Sequence, residues 1–181
     1  MLQITVQLTP EMWDEEKEEF IPPKTQELQL EHSLVSLKKW ESKWCKPFLS
    51  KQEKTTEETI DYIKHMTLTR NVDPEVYNRL SKENIDQINE YIVAPMTATT
   101  FSEESNKRSN REQITAELIY YWMISFNIPS EYQKWHLNSL LTLIRVCTVK
   151  NAPPKKRSKQ DTARRYAEMN AARREKYNSK G

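Results

Sequence analysis

Three histidines, a run of carboxylates and two cysteines are the residues of this 181-residue chain with chemistry to offer. His32, His65 and His136 stand far apart, and no two of them share the spacing of a metal-binding or zinc-protease pair. His136, beside Trp135 on an apolar stretch, is the one to weigh as a general base. Its ordinary alternative, a histidine at the edge of a packed helix, is favoured by the leucines that follow it. Asp14, Glu15, Glu16, Glu18 and Glu19 could gather a divalent ion, yet they lack the glycine turn of a calcium loop and read better as a solvated acidic face. Cys45 and Cys147 are too few and too distant for a metal set or a disulfide framework, and read as reduced structural thiols. No catalytic residue, metal or cofactor is assigned.

The elements that would have to position such groups are equally restrictive. The only glycine is Gly181. Phosphate-cradling loops, dinucleotide fingerprints and strained nucleophile elbows need glycine for positive φ or close backbone approach, so those sites are excluded. No apolar run approaches the length of a membrane span, and the N-terminus lacks a basic region followed by an apolar core. The expectation is a protein of a reducing cytosol with no membrane partner.

Charge is polarised along the chain although the net value is only +2. Between Glu11 and Glu31 eight acids face Lys17 and Lys24, whereas between Lys150 and Gly181 eleven basic residues face three acids. Opposite poles favour self-association or docking to charged partners. The basic residues Lys155, Lys156, Arg157, Arg164, Arg165, Arg173 and Arg174 are candidates for partner contact, with nucleic acid or an acidic protein surface as the partner and a merely solvated helix as the alternative. Trp13, in the acidic segment, is a candidate interaction anchor. Trp40 and Trp44 join it as partner-binding candidates, although core packing is the default for tryptophans on helices.

Leu2, Ile4, Val6 and Leu8 alternate with polar residues, as does the segment Glu27 to Glu31, which predicts a small antiparallel ribbon. The acidic connection between them is long enough for a short element of its own. After Glu31 helices follow: Ser33 to Trp44 with a Leu34, Leu37, Trp40, Glu41 and Trp44 stripe, a Thr55/Glu58 capping box, a start at Asp73-Pro74, and a Ser81-capped helix facing inward through Ile85, Ile88, Tyr91 and Ile92. Met96 to Ser109 reads as an exposed loop. Asn110 and Gln113 are expected to open the most apolar helix, whose Ile114, Leu118, Ile119, Tyr121, Trp122 and Phe126 argue for burial on several sides, Trp122 included. Pro129 breaks it, and the helix carrying Trp135, Leu137, Leu140, Leu141 and Ile144 should return as an antiparallel hairpin at the heart of the domain. Ser158 with Asp161 signals a last helix, with Tyr166, Met169 and Tyr177 as its sparse apolar stripe. The fold class expected is mainly α: residues 1–31 form a β element with an acidic segment, 32–151 a helical domain, and 152–181 a basic C-terminal helical arm.

The stretches Leu30 to Leu34, Lys39 to Trp44 with Lys46 to Leu49, Asp61 to Ile63, Asn71 to Pro74, Ile119 to Ile124, and Gln133 to Asn138 resemble small proteins encoded in the tail-gene region of long-tailed bacteriophages, the tail assembly chaperones. The resemblance covers most of residues 28 to 178 and includes Ala171-Ala172-Arg173-Arg174. It implies a helical, non-enzymatic protein of the bacterial host cytoplasm that binds the tape measure protein, brings tail tube subunits to it and is absent from the finished particle. Members of that family are often made in a short form and in a longer form produced by a ribosomal frameshift. No catalytic motif comes with it.

Overall fold

The computed structural model describes residues 1–10, 12–14, 18–101, 113–152 and 159–177. It is mainly α with a small N-terminal β element. β1 (Leu2–Gln7) and β4 (Thr25–Leu30) pair antiparallel with Leu2 opposite Leu30 and Ile4 opposite Leu28. Their alternation does what a period of two should: Ile4, Val6, Leu28 and Leu30 are buried and the residues between them are not. Between these strands lies a second hairpin, β2 (Met12–Asp14) with β3 (Glu19–Ile21). The free side of β4 is covered where Glu31 N donates to Met66 O at 2.9 Å and Leu68 N donates to Gln29 O at 2.8 Å.

Local signals set the helix ends. α1 (Leu34–Trp44) starts at Ser33, whose hydroxyl accepts from Ser36 N while the Ser36 hydroxyl accepts from Ser33 N. It stops at Cys45, which takes the left-handed conformation at φ 50°. α2 (Thr56–Met66) begins at the Thr55/Glu58 capping box. The Asp73-Pro74 start opens a 3-10 helix, Pro74–Arg79, and Ser81 caps α3 (Lys82–Val93).

α1 is the central element, with α2 and α4 (Ala116–Ser125) both packed on it. Trp40, 1% exposed, fills the α1–α2 seam and donates Nε1 to Glu58 O at 2.8 Å. Along the same seam Asp61 accepts from Lys43 Nζ and from Trp44 Nε1, and Glu58 accepts from Lys46. Glu41, placed in the apolar stripe by spacing, is buried there. Its Oε1 accepts from Phe48 N at 2.8 Å and its Oε2 from Ala116 N at 2.7 Å, so one carboxylate ties the turn after α1 to the start of α4.

Three expectations need correction here. α4 starts at Ala116 with Thr115 as its cap, not at Gln113, because the Thr115 hydroxyl takes the Leu118 amide; Asn110 lies outside the described residues. Its main helix contact is with α1 and not with α5 (Leu137–Asn151), so the hairpin is not the heart of the domain, although both helices contribute to the same core. Trp135 precedes α5, at the end of a 3-10 helix spanning Ser130–Lys134, and is 45% exposed.

The chain divides into two compact units, Met1–Cys147 and Thr148–Gly181. The core of the first unites both ribbon strands with the helices in a single apolar cluster. The second contains α6 (Lys159–Tyr177), on which every side chain described is exposed.

Candidate functional site

Two chain segments remote in sequence meet beside the end of β4. Ser33 pairs with His136 in an isolated antiparallel bridge, and Leu137 N donates to His32 O at 2.7 Å. This splice brings the rings of His32 and His136 to 5.2 Å, edge to face. His32 Nδ1 lies 2.6 Å from the Tyr62 hydroxyl. His136 Nε2 lies 3.0 Å from Tyr91 O, and Asn138 N donates to His136 Nδ1 at 3.3 Å. An accepting Nδ1 fixes the tautomer: the proton sits on Nε2 and is donated to Tyr91 O.

Burial lowers the pKa of His32 to about 3, and the facing His136 adds to the shift. Burial also lowers that of His136, opposed by its bond to Tyr91 O. Burial and the neighbouring Glu31 both raise the Tyr91 phenol, whose hydroxyl donates to Glu31 Oε1 at 2.7 Å. The other oxygen, Glu31 Oε2, stands 3.0 Å from the amino group of Met1. Met1, Glu31, Tyr91 and His136 line an open groove of about 690 Å³, together with Thr97, Trp135 and Leu143, whereas His32 lies buried behind it.

His136, the sequence candidate for a general base, thus has both ring nitrogens engaged by backbone. Asn138 reinforces the arrangement, its side-chain amide donating to Ile92 O and Ala94 O at the end of α3. The polar groups splice helix ends together, and what they leave for a partner is the shape of the groove and the exposed indole of Trp135.

The other candidates fall in different places. Trp40 is a core residue and leaves the surface set. Trp44 is half-buried, with its indole N–H held by Asp61 Oδ2 at 2.9 Å. Trp13 is exposed on β2 and meets Phe20 edge to face at 4.8 Å. Arg164, Arg165, Arg173 and Arg174 are all exposed on α6, and Arg164 Nε lies 3.3 Å from Glu168. Lys155, Lys156, Arg157 and Ser158 lie outside the described residues. No group of three or more metal-ligating side chains occurs among the described residues, and no described helix is long and apolar enough to cross a membrane.

The surface that sequence reasoning misplaced is α4. Ala116, Ile119 and Met123 seat it on the core, but the opposite side presents Tyr121, 64% exposed, and Ile124, 75% exposed. Trp122 is half-buried between the two faces, not enclosed. An apolar circumference carries no sign of whether the chain's own core or another molecule is to cover it, so its breadth alone does not establish burial within the domain. With Trp135, which stacks on Tyr132 at 4.1 Å and is 45% exposed, these residues give the described surface of this unit large exposed apolar groups.

The chain thus joins a mainly α fold to a surface of exposed aromatic and aliphatic groups. No family model, curated protein or solved structure matches it.

Proposed function

We propose that the chain is a phage tail assembly chaperone, a non-enzymatic protein that binds the tape measure protein and helps recruit tail tube subunits in the bacterial host cytoplasm. The observation that carries this reading is the outward face of α4. Tyr121 and Ile124 project from a rigid helix anchored on its other side, which suits capture of an apolar stripe on an elongated helical client. Exposed apolar groups of this size, on a chain rich in charge, are the features expected of a protein that shields another. The basic residues of α6 supply a polar component that discriminates among clients more than it adds affinity.

The experiment is co-expression with the tape measure protein of the virus that this reading implies. The client should aggregate alone and remain soluble in a complex with it. A client equally insoluble with and without the folded chain contradicts the reading.

The arginine pairs Arg164/Arg165 and Arg173/Arg174, exposed on one helix, favour a second reading as a nucleic-acid-binding accessory protein. That reading requires DNA affinity that falls steeply with salt and disappears when residues 155–181 are removed. The chaperone reading requires weak DNA binding at most.

A further inference from the structure

We propose that α6 of one copy docks on the β2–β3 hairpin of another, joining copies of this chain head to tail. Two features, one in each unit, present exposed apolar side chains among the described residues, and each has what the other lacks. The first is the hairpin. Trp13 and Phe20 are cross-strand partners with both rings exposed, and Met12 beside them is exposed as well. Three-residue strands are too short to be stable by pairing alone, so an aromatic pair held on them in water is a costly arrangement until something covers it. The sequence of this hairpin carries Asp14, Glu15, Glu16, Glu18 and Glu19 against the single Lys17.

The second feature is α6. Tyr166, Met169, Arg173 and Tyr177 follow one another at spacings of three, four and four, which places them in one row along the helix. All four are exposed, and an isolated helix of this length is marginal in water unless one face is buried. Arg165 and Arg174 flank that row on either side, about a quarter-turn away by helix geometry. An apolar row with a cation inside it and cations at its borders complements an aromatic pair carried on an acidic stretch of sequence.

Charge selects this pairing over the symmetric ones. A hairpin against a hairpin would oppose five carboxylates to five, and an α6 against an α6 would oppose arginine to arginine. Like-charge juxtaposition rejects both, whereas the mixed contact attracts. A contact between two different surfaces of the same chain is heterologous, so it either closes into a ring or continues as a filament. This inference goes beyond the proposed function, because it does not depend on which client is bound.

The test uses the full chain and two variants defective at opposite ends, each checked for wild-type helical content by circular dichroism. One carries Trp13→Ala with Phe20→Ala; the other carries Arg165→Glu with Arg173→Glu. All four positions lie outside the core, so both variants should fold. In sedimentation velocity across a dilution series, the wild-type mass should rise with concentration and fall back at about 1 M salt, where the screening length is about 3 Å. Each variant alone should stay monomeric. Mixed, they should form a dimer that grows no further, since the intact arm of the first meets the intact hairpin of the second and no other complementary pair remains. A wild type that is monomeric throughout, as docking within one chain would make it, overturns the proposal. So does a variant that associates like the wild type, or a mixture in which no dimer forms.

Discussion

His32 and His136, separated by most of the helical region in sequence, stand 5.2 Å apart with their rings edge to face, and burial depresses the pKa of both. The pair is neutral at pH 7 in the fold, while an unfolded chain protonates both near the ordinary value of 6.5. Below that value the unfolded state binds more protons, so the stabilisation is complete above pH 6.5 and is lost as the pH falls toward 3. His65, lowered mainly by burial, acts in the same direction.

Urea unfolding between pH 6 and 4.5 should therefore show stability dropping, with His32 alone contributing about 1.4 kcal/mol per pH unit. Glu58 and Asp61 are carboxylates with depressed pKa values and weaken the fold only as the pH falls below their ordinary values of 4.5 and 3.8. The higher window belongs to the histidines. His32→Gln, which keeps an amide near Tyr62, should flatten the slope there; an unchanged slope would show that His32 does not titrate on unfolding.

Glu41 offers a different kind of test, because its two oxygens accept from the amides of Phe48 and Ala116 in a buried site. Glu41→Ala orphans both donors and should cost about 3–5 kcal/mol, read from the urea midpoint. Glu41→Gln keeps one acceptor and should lose about half as much. A Glu41→Gln variant as stable as the wild type would mean that the side chain contributes by size rather than by accepting both amides.

A chain whose only glycine is Gly181 must put ordinary residues wherever φ is positive, and Cys45 occupies such a site at the end of α1 with φ 50°. The left-handed conformation costs a residue with a Cβ about 1–2 kcal/mol. Cys45 is exposed and its thiol is free, so Cys45→Gly removes little packing. The net effect should be a gain of about 0.5–1 kcal/mol after the added entropy of the unfolded chain. A loss of stability would mean that the side chain matters more than its backbone.

The two tryptophans on α1 and α4 should respond unequally to truncation. Trp40→Ala empties the α1–α2 seam and should cost about 3–5 kcal/mol. Trp122, half-buried, should lose clearly less on the same change. Denaturant midpoints of the two variants side by side decide the order, and a reversal would move the core from α1 to α4.

Much of the fold was legible because its signals are local. Alternation marked Leu2 to Leu8 and Glu27 to Glu31, and the caps at Ser33, Thr55 and Ser81 act through hydroxyls three residues from their targets. The Asp73-Pro74 start was readable too, though not that the turn would be 3-10. Non-local relations were not. The bridge between Ser33 and His136 that creates the histidine pair leaves no periodic trace, and neither do the distant amides that explain why Glu41 sits in an apolar stripe. α4 shows a third limit: hydrophobicity reports that a surface is to be covered, but not by which molecule.

The most direct measurement concerns that surface. Tyr121→Ser with Ile124→Ser changes two exposed side chains, so stability should stay within about 0.5 kcal/mol per site. Under the proposed chaperone function, the wild-type chain co-expressed with the tape measure protein should hold it in a soluble complex that co-elutes in gel filtration. The variant, equally well folded, should leave the client in the pellet. A variant that keeps the client soluble as well as the wild type does would contradict the role assigned to the outward face of α4.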